Sequence, residues 1–283
     1  MMLQMFWACL SAFCILTGGA APALADEAAQ QAIDALDKAM ETTASEADPA
    51  FNQAMRDYCL GRCDKAASEL LRAADAGNPV AQNTLGNLHA TGCGVRKDPE
   101  EAKAWYSKAA AQGYSPAMFN LARALLRANA ADSRAKALEL LNKAVDAGNV
   151  AAELFLAQLY LEGDGVPVDK IKGIALLDKG VAAKNAMAMT MRARQYLESR
   201  DMPDNQGKGL ALLREAAQLG SAPAFYSLGM CSEQGIGGKP DPVMAFAYYN
   251  TAKRLGHSEA TKALDRVSET MSWQQLIESR RIN

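Results

Sequence analysis

Apolar side chains recur along this chain at helical spacing, and they fall into pairs of stripes separated by glycine-containing loops. The two stripes of the clearest pair contain, in order, Ala81, Leu85 and Leu88, and then Ala102, Trp105, Tyr106 and Ala109. Residues spaced three and four apart share one face of a helix, so each stripe predicts one amphipathic helix. The loop Thr91-Gly-Cys-Gly-Val95 interrupts the pattern between them. The sequence therefore predicts a helix pair.

This pair repeats with a nearly constant period. Glycine ends the second stripe at positions 77, 113, 148, 220 and 256, and Lys184 stands at the corresponding place in one unit. Successive positions in this series are 36, 35, 36, 36 and 36 residues apart. A fixed period of this length is typical of a stacked-repeat solenoid, in which no unit buries its apolar face alone.

Local signals support the same reading. Asp98 is a predicted N-cap, Pro99 occupies the first helical position, and Glu101 is placed to complete a capping box. Small residues recur where the first helix must approach its neighbour closely: Gly86, Ala122, Ala157, Ala193 and Gly229.

The repeat pattern sets the predicted domain boundaries. Full repeats are expected at about 79–114, 115–149, 150–185, 186–221 and 222–257, within a repeat domain that spans 49–283. A weaker unit near 49–78 precedes them, and a polar C-terminal cap at 258–283 closes the stack. Residues 26–48 are expected to form a short N-terminal helix or a loose leader.

The first 25 residues have the pattern of a secretory signal peptide. An apolar run extends from Phe6 to Gly18, and Ala23-Leu-Ala25 provides small residues for cleavage before Asp26. The run is short for a transmembrane helix, although an uncleaved anchor is the alternative. A periplasmic or secreted protein without a membrane span in the mature chain is therefore expected.

Three segments of the first full repeat, Leu85 to Val95, Asp98 to Ala102 and Trp105 to Gly113, resemble the Sel1-like repeat, a relative of the tetratricopeptide repeat. The resemblance implies an all-α fold, a right-handed α-solenoid of stacked antiparallel helix pairs. It also implies an adaptor or scaffold role. Exported bacterial members of this kind suggest a bacterial source and a function in envelope regulation or assembly.

Charge and motifs argue against most other functions. The net charge of −2 lacks the basic footprint that nucleic acid requires. The only histidines, His89 and His257, are separated by almost five repeats, and no nucleophile-elbow or phosphate-loop motif is present. We therefore expect a non-enzymatic protein without catalytic residues, cofactor or metal, which binds a protein or peptide. An enzyme acting on a β-lactam or on cell-wall material is the alternative.

The cysteines point to a disulfide in an oxidising compartment. A bond between Cys59 and Cys63 is predicted, because it would pin the turn of the weak first unit. A cross-repeat bond from Cys93 to either residue is the main competitor, and a zinc site that adds His89 is a further alternative. Cys231 replaces an apolar residue of its helix and is predicted to be a buried thiol.

The resemblance implies that the first helix of each unit lines a concave groove. The partner-binding residues predicted on that face are Asn83, Asn87, Phe119, Asn120, Arg123, Arg127, Phe155, Gln158, Arg194 and Tyr226. Three arginines in a nearly neutral protein favour an acidic ligand. Alternatively, Phe119 and Phe155 merely pack between adjacent first helices.

Overall fold

A computed structural model describes residues 49–127, 131–164, 166–198 and 203–282. These residues form fourteen α-helices and, within the described ranges, no strand. The predicted signal peptide and the leader at 26–48 lie outside the described residues. The all-α solenoid of helix pairs predicted from the sequence is confirmed.

The helices follow one another in pairs. The incomplete repeat that precedes the full repeats contains α1 (Pro49–Cys59) and α2 (Cys63–Asp75). The following helices are α3 (Pro79–Thr91), α4 (Pro99–Ala111), α5 (Ser115–Arg127), α6 (Ala131–Asp146), α7 (Val150–Glu162), α8 (Lys170–Ala182), α9 (Ala186–Glu198), α10 (Pro203–Gln218), α11 (Ala222–Gln234) and α12 (Pro242–Arg254). The last pair is α13 (Ala260–Glu269) and α14 (Trp273–Ile282).

The chain divides into two compact units. The first comprises the described residues up to Leu156 together with the loop residues from Gly163 to Pro167, and the second comprises Ala157–Glu162 and the chain from Val168 onward. Within the first compact unit each of α1 to α5 packs against the next helix, within the second each of α8 to α12 does so, and α12 also packs against α14.

One compact turn joins each repeat to the next. Gly77 has a φ of +95°, which ends α2, and the following Asn78 side chain accepts hydrogen bonds from the N–H groups of Val80 and Ala81 at 2.9 and 3.1 Å. A left-handed residue followed by a capping residue thus stops one helix and starts the next within three residues. Lys184 adopts the same left-handed conformation with a φ of +54°.

The turn inside the first full repeat is built differently. The Asp98 carboxylate accepts hydrogen bonds from the N–H groups of Glu100 and Glu101 at 3.0 and 3.1 Å, which confirms the predicted N-cap. The predicted capping box does not form, since the Asp98 N–H donates to the carbonyl oxygen of His89. The His89 carbonyl group on α3 therefore accepts the hydrogen bond that the Glu101 side chain was expected to accept.

Glycine at the close-approach position makes room for a tyrosine. A Cβ atom at Gly86 would lie 2.6 Å from the Tyr106 ring, and one at Gly229 would lie 2.6 Å from the Tyr249 ring. The three central repeats instead combine alanine at this position with leucine opposite it: Ala122 with Leu141, Ala157 with Leu177, and Ala193 with Leu213. The glycine therefore admits a side chain long enough to carry a hydroxyl group across the helix pair.

Each unit has its own apolar core. In the first unit, Leu70, Leu85 and Leu88 are buried around α2 and α3. In the second, Leu213, Leu228 and Cys231 are buried between α10 and α11. None of the helices in the described ranges combines the length and the apolar character that crossing a bilayer requires.

Candidate functional site

The structure gathers most of the predicted groove residues in the first compact unit. Asn83 and Asn87 lie on α3, Asn120, Arg123 and Arg127 lie on α5, and Phe119 and Phe155 lie beside them on α5 and α7. We call the surface formed by Asn87, Asn120, Arg123 and Arg127 the first-helix face. Gln158, Arg194 and Tyr226 belong to the second unit and are described separately.

A chain of amides links the two neighbouring first helices. The Asn120 Nδ2 donates to Asn83 Oδ1 at 2.9 Å and to Asn87 Oδ1 at 3.3 Å. Asn87 Oδ1 also accepts a hydrogen bond from the Tyr106 hydroxyl at 2.8 Å, and Asn87 Nδ2 donates to the Tyr58 hydroxyl at 3.5 Å. Four helices, α1, α3, α4 and α5, therefore hold this polar surface in one orientation.

Tyr106 is the buried support of this network. Burial raises the pKa of Tyr106, and the neighbouring Tyr58 raises it further, while Arg123 and Arg127 act in the opposite direction. The hydroxyl thus stays protonated at neutral pH and remains a donor to Asn87. Helical spacing predicts Tyr106 only as a core residue, and Gly86, which makes room for its ring, is the sequence signal for its second role.

Arg123 and Arg127 provide positive charge at the edge of the amide chain. Both side chains are exposed, and the Arg123 guanidinium lies 5.5 Å from the centre of the Phe119 ring. Neither arginine forms an ion pair with a carboxylate in the part of the chain that the structure describes. Two uncompensated guanidinium groups can therefore receive an acidic group, because guanidinium forms paired hydrogen bonds with carboxylate.

Two predicted contact residues have mainly internal roles. Asn83 is only 2% exposed, so it positions Asn120 and does not itself reach a partner. Phe119 is 9% exposed, and its ring meets that of Phe155 edge-on with the ring centres 5.7 Å apart. The alternative that these rings pack between adjacent first helices is thus correct for Phe119. The accessible part of the candidate site is the first-helix face.

The predicted disulfide between Cys59 and Cys63 is wrong. Cys63 bonds to Cys93, with 5.5 Å between their Cα atoms, and Cys59 is not part of the bond. Cys63 begins α2 and is buried, and the loop after α3 lies directly on its backbone: a Cβ atom at Gly94 would be 2.5 Å from the Cys63 carbonyl carbon. Glycine at 94 thus permits the approach that brings Cys93 to Cys63.

This bond also decides the zinc alternative. Cys63 and Cys93 cannot act as thiolate ligands while they are joined, which removes two of the four residues in the proposed set. Cys231 is a buried thiol, as predicted, and its burial raises its pKa to about 11.

The predicted residues of the second unit do not form a matching surface. Gln158 donates to Glu162 within its own helix at 3.1 Å, and Arg194 is exposed. Tyr226 stacks flat on His257, with the ring centres 4.2 Å apart, so it packs one helix pair onto the next.

Beside these two stacked rings is a cluster of side chains that the repeat pattern does not predict. Glu233 on α11 accepts hydrogen bonds from Arg266 on α13 at 2.9 and 2.7 Å, and from the Tyr249 hydroxyl on α12 at 2.7 Å. The hydrogen bond from Arg266 holds the pKa of Glu233 below its ordinary value. The charges of Glu233 and Arg266 neutralise each other, and the hydrogen bonds of the cluster link α11, α12 and α13.

Comparison with known proteins places these features in a family. The sequence profile of the Sel1 repeat family matches residues 79–114, 115–149, 150–185, 186–221 and 222–257. No curated protein sequence shows a significant match.

Solved structures that share the fold include proteins from three bacteria. A Sel1 repeat protein from Oxalobacter formigenes has a TM-score of 0.63 and 22% identity, over 84% of this chain and 98% of its own. A protective antigen of uropathogenic Escherichia coli with an SLR fold has a TM-score of 0.59 and 22% identity. That match covers 89% of this chain but 62% of the antigen. A Pseudomonas aeruginosa protein has a TM-score of 0.53 and 20% identity, over 77% and 88% of the two chains.

Proposed function

The chain belongs to the Sel1 repeat family, and we propose that it is a non-enzymatic scaffold that binds a protein or peptide on its first-helix face. Sel1 repeat proteins generally act as protein-interaction scaffolds. The observation that carries the proposal is a pair of arginines, Arg123 and Arg127, that have no ion-pair partner among the described residues and lie beside a chain of amides already held by hydrogen bonds.

The chemistry of this face favours an extended acidic segment. The amide groups of Asn87 and Asn120 offer a donor and an acceptor, which is what the backbone of an extended peptide requires. Arg123 and Arg127 would then pair with a carboxylate side chain or a terminal carboxylate of the same segment. Because hydrogen bonds already orient the amides, little conformational entropy is lost when the partner binds.

The proposal includes an exported location, periplasmic or secreted, and a role in envelope regulation or assembly. The disulfide between Cys63 and Cys93 supports it, because such bonds persist in oxidising compartments. Cleavage of the signal peptide after Ala25 is part of this proposal and is checked by the intact mass of the exported protein.

Charge reversal on the first-helix face tests the binding role. Immobilised wild-type protein is expected to retain a discrete set of proteins from an envelope fraction, whereas Arg123→Glu/Arg127→Glu should lose them because the local field changes sign. The double variant should keep its helical circular dichroism and its Tm, since exposed charges contribute little to stability.

The matched control is Lys65→Glu/Lys136→Glu, which makes the same change in net charge at exposed positions on α2 and α6. It should retain the partners. Equal retention by both double variants would show that binding occurs on another surface. Covalent labelling of the wild-type chain by a fluorescent penicillin would instead support the enzymatic alternative.

A further inference from the structure

The second compact unit contains a cavity that the scaffold role does not use. It has a volume of about 220 Å³ and lies between α10, α11 and the loop that leads to α12. Its residues differ from those of the first-helix face and belong to the other unit. Its volume is below the ~300 Å³ at which drug-sized pockets begin, so it suits a small ligand.

Five apolar side chains form part of the cavity lining. They are those of Leu210, Leu228, Cys231, Ile236 and Met244. The loop wall is held close, because a Cβ atom at Gly237 would overlap the Leu210 side chain. Since burial raises the pKa of Cys231 to about 11, its thiol is protonated at neutral pH and serves as a wall, not a nucleophile.

The charged groups of the cavity are unbalanced. Arg214 and Lys239 line it from opposite elements, α10 and the α11–α12 loop, and neither has an ion-pair partner within the described ranges. The single carboxylate in the lining, Asp241, is engaged as the N-cap of α12, where it accepts a hydrogen bond from the Met244 N–H at 3.0 Å. The lining therefore carries two cations against one anion.

Two further polar groups have capacity for a ligand. The hydroxyls of Ser232 and Tyr248 line the same cavity, and neither makes a hydrogen bond within the described part of the chain. A concave site that combines apolar side chains with a few converging polar groups suits a small molecule that has one apolar and one polar end. The excess of positive charge selects an anion among such ligands.

We propose that this cavity binds a small monocarboxylate with an apolar tail. The carboxylate contacts Arg214 and Lys239, and the tail enters the cavity above Leu228 and Cys231. The same chemistry is offered by a free organic acid and by the C-terminal residue of a peptide that ends in an apolar side chain.

Nuclear magnetic resonance titration of the full chain separates these sources. The probes are 3-phenylpropanoate, its neutral isostere 3-phenylpropanamide, the peptide N-acetyl-Gly-Gly-Phe and its C-terminal amide. Both carboxylates should shift the amide signals of Ile236, Lys239 and Tyr248, and both amides should leave them unchanged. Binding of the free acid alone identifies a small-acid site, and binding of the peptide acid as well identifies a C-terminus site.

The charge requirement is tested by substitution. Arg214→Gln/Lys239→Gln should weaken carboxylate binding at least tenfold, because hydrogen bonds to charged groups contribute roughly 1.5–3 kcal/mol. The control Lys253→Gln/Arg254→Gln makes the same charge change at exposed positions of this unit, outside the cavity lining, and should leave the affinity unchanged. The proposal is overturned if the amides bind as well as the acids, if the two double variants behave alike, or if no carboxylate shifts these signals.

Discussion

At the scale of the residue, Lys184 is the clearest departure from the repeat. It ends α8 with a φ of +54°, where the other repeats have glycine. An L-residue in this conformation places its Cβ close to a carbonyl oxygen, which costs about 1–2 kcal/mol. The turn between repeats therefore keeps its left-handed residue here, although a lysine disfavours that backbone conformation.

Lys184→Gly is expected to stabilise the protein by up to about 1 kcal/mol, because the relief of strain exceeds the added entropy of the unfolded chain. Urea denaturation should show a higher midpoint with an unchanged slope. Ala175→Gly, in the exposed middle of the same helix, should instead destabilise it by about 1 kcal/mol. A lower midpoint for Lys184→Gly would mean that the lysine side chain contributes a contact that the strain argument overlooks.

The disulfide gives a second prediction at this scale. Its two cysteines are 30 residues apart, so the bond restricts a long loop of the unfolded chain. Cys93→Ser should cost about 3 kcal/mol, and Cys59→Ser much less. Peptide mapping without reduction should yield the Cys63–Cys93 pair, and a Cys59–Cys63 pair would contradict the structure.

At the scale of the element, the pairing of Gly86 with Tyr106 explains how the first full repeat differs from the central ones. Gly86→Ala should destabilise the protein by roughly 1–3 kcal/mol, because the added methyl overlaps the tyrosine ring. Adding Tyr106→Leu recreates the alanine–leucine pair of the central repeats. The double variant should therefore lose less unfolding free energy than the two single variants lose together, by at least about 1 kcal/mol. Strict additivity in a double-mutant cycle of unfolding free energies would refute this coupling.

The same double variant separates stability from binding. The leucine introduced in place of Tyr106 has no hydroxyl group to donate to Asn87, so Gly86→Ala/Tyr106→Leu should fold but bind its partner less tightly. This outcome would distinguish the support of the amide chain from the packing of the helix pair.

The cluster around Glu233 predicts a dependence on pH. The hydrogen bond from Arg266 lowers the pKa of Glu233 in the folded state, so its stabilisation is complete above the ordinary pKa of glutamate, ~4.3, and is lost as the pH falls through the folded-state pKa. The difference in Tm between wild type and Arg266→Gln should therefore shrink as the pH is lowered from 7 to 3. Arg254→Gln, an exposed cation on α12, should show no such trend.

The helices and their caps could be predicted from the sequence because they depend on local periodicity and on residues such as Asp98 and Pro99. The bond between Cys63 and Cys93 could not, since it depends on how closely a loop approaches a backbone 30 residues away. Likewise, the first-helix arginines follow from the repeat register, but the hydroxyls of Tyr58 and Tyr106 reach the amide chain from other helices. Spacing identifies a helix face, and only packing shows which distant side chains support it.

At the scale of the whole molecule, the repeat architecture predicts that damage stays local. Leu213 is 1% exposed and lies in the core of the second compact unit. Leu213→Ala should lower the free energy of unfolding by about 2–5 kcal/mol. Because solenoid repeats interact mainly with their nearest neighbours, hydrogen exchange should accelerate in α9 to α11 far more than in α1 to α4. Uniform acceleration throughout the chain would show that the stack unfolds as a single cooperative body.

The two terminal clamps follow from different chemistry. The disulfide fastens the helix pair of α1 and α2 to the first full repeat, and the Arg266–Glu233 ion pair fastens α13 to the last one. A thiol reductant at neutral pH should therefore loosen the amino-terminal attachment and leave the ion pair of Arg266 and Glu233 in place, whereas acid under oxidising conditions should break that ion pair and leave the disulfide intact. The attachment of the first helix pair therefore depends on the redox potential of the surroundings, and the attachment of α13 depends on their pH.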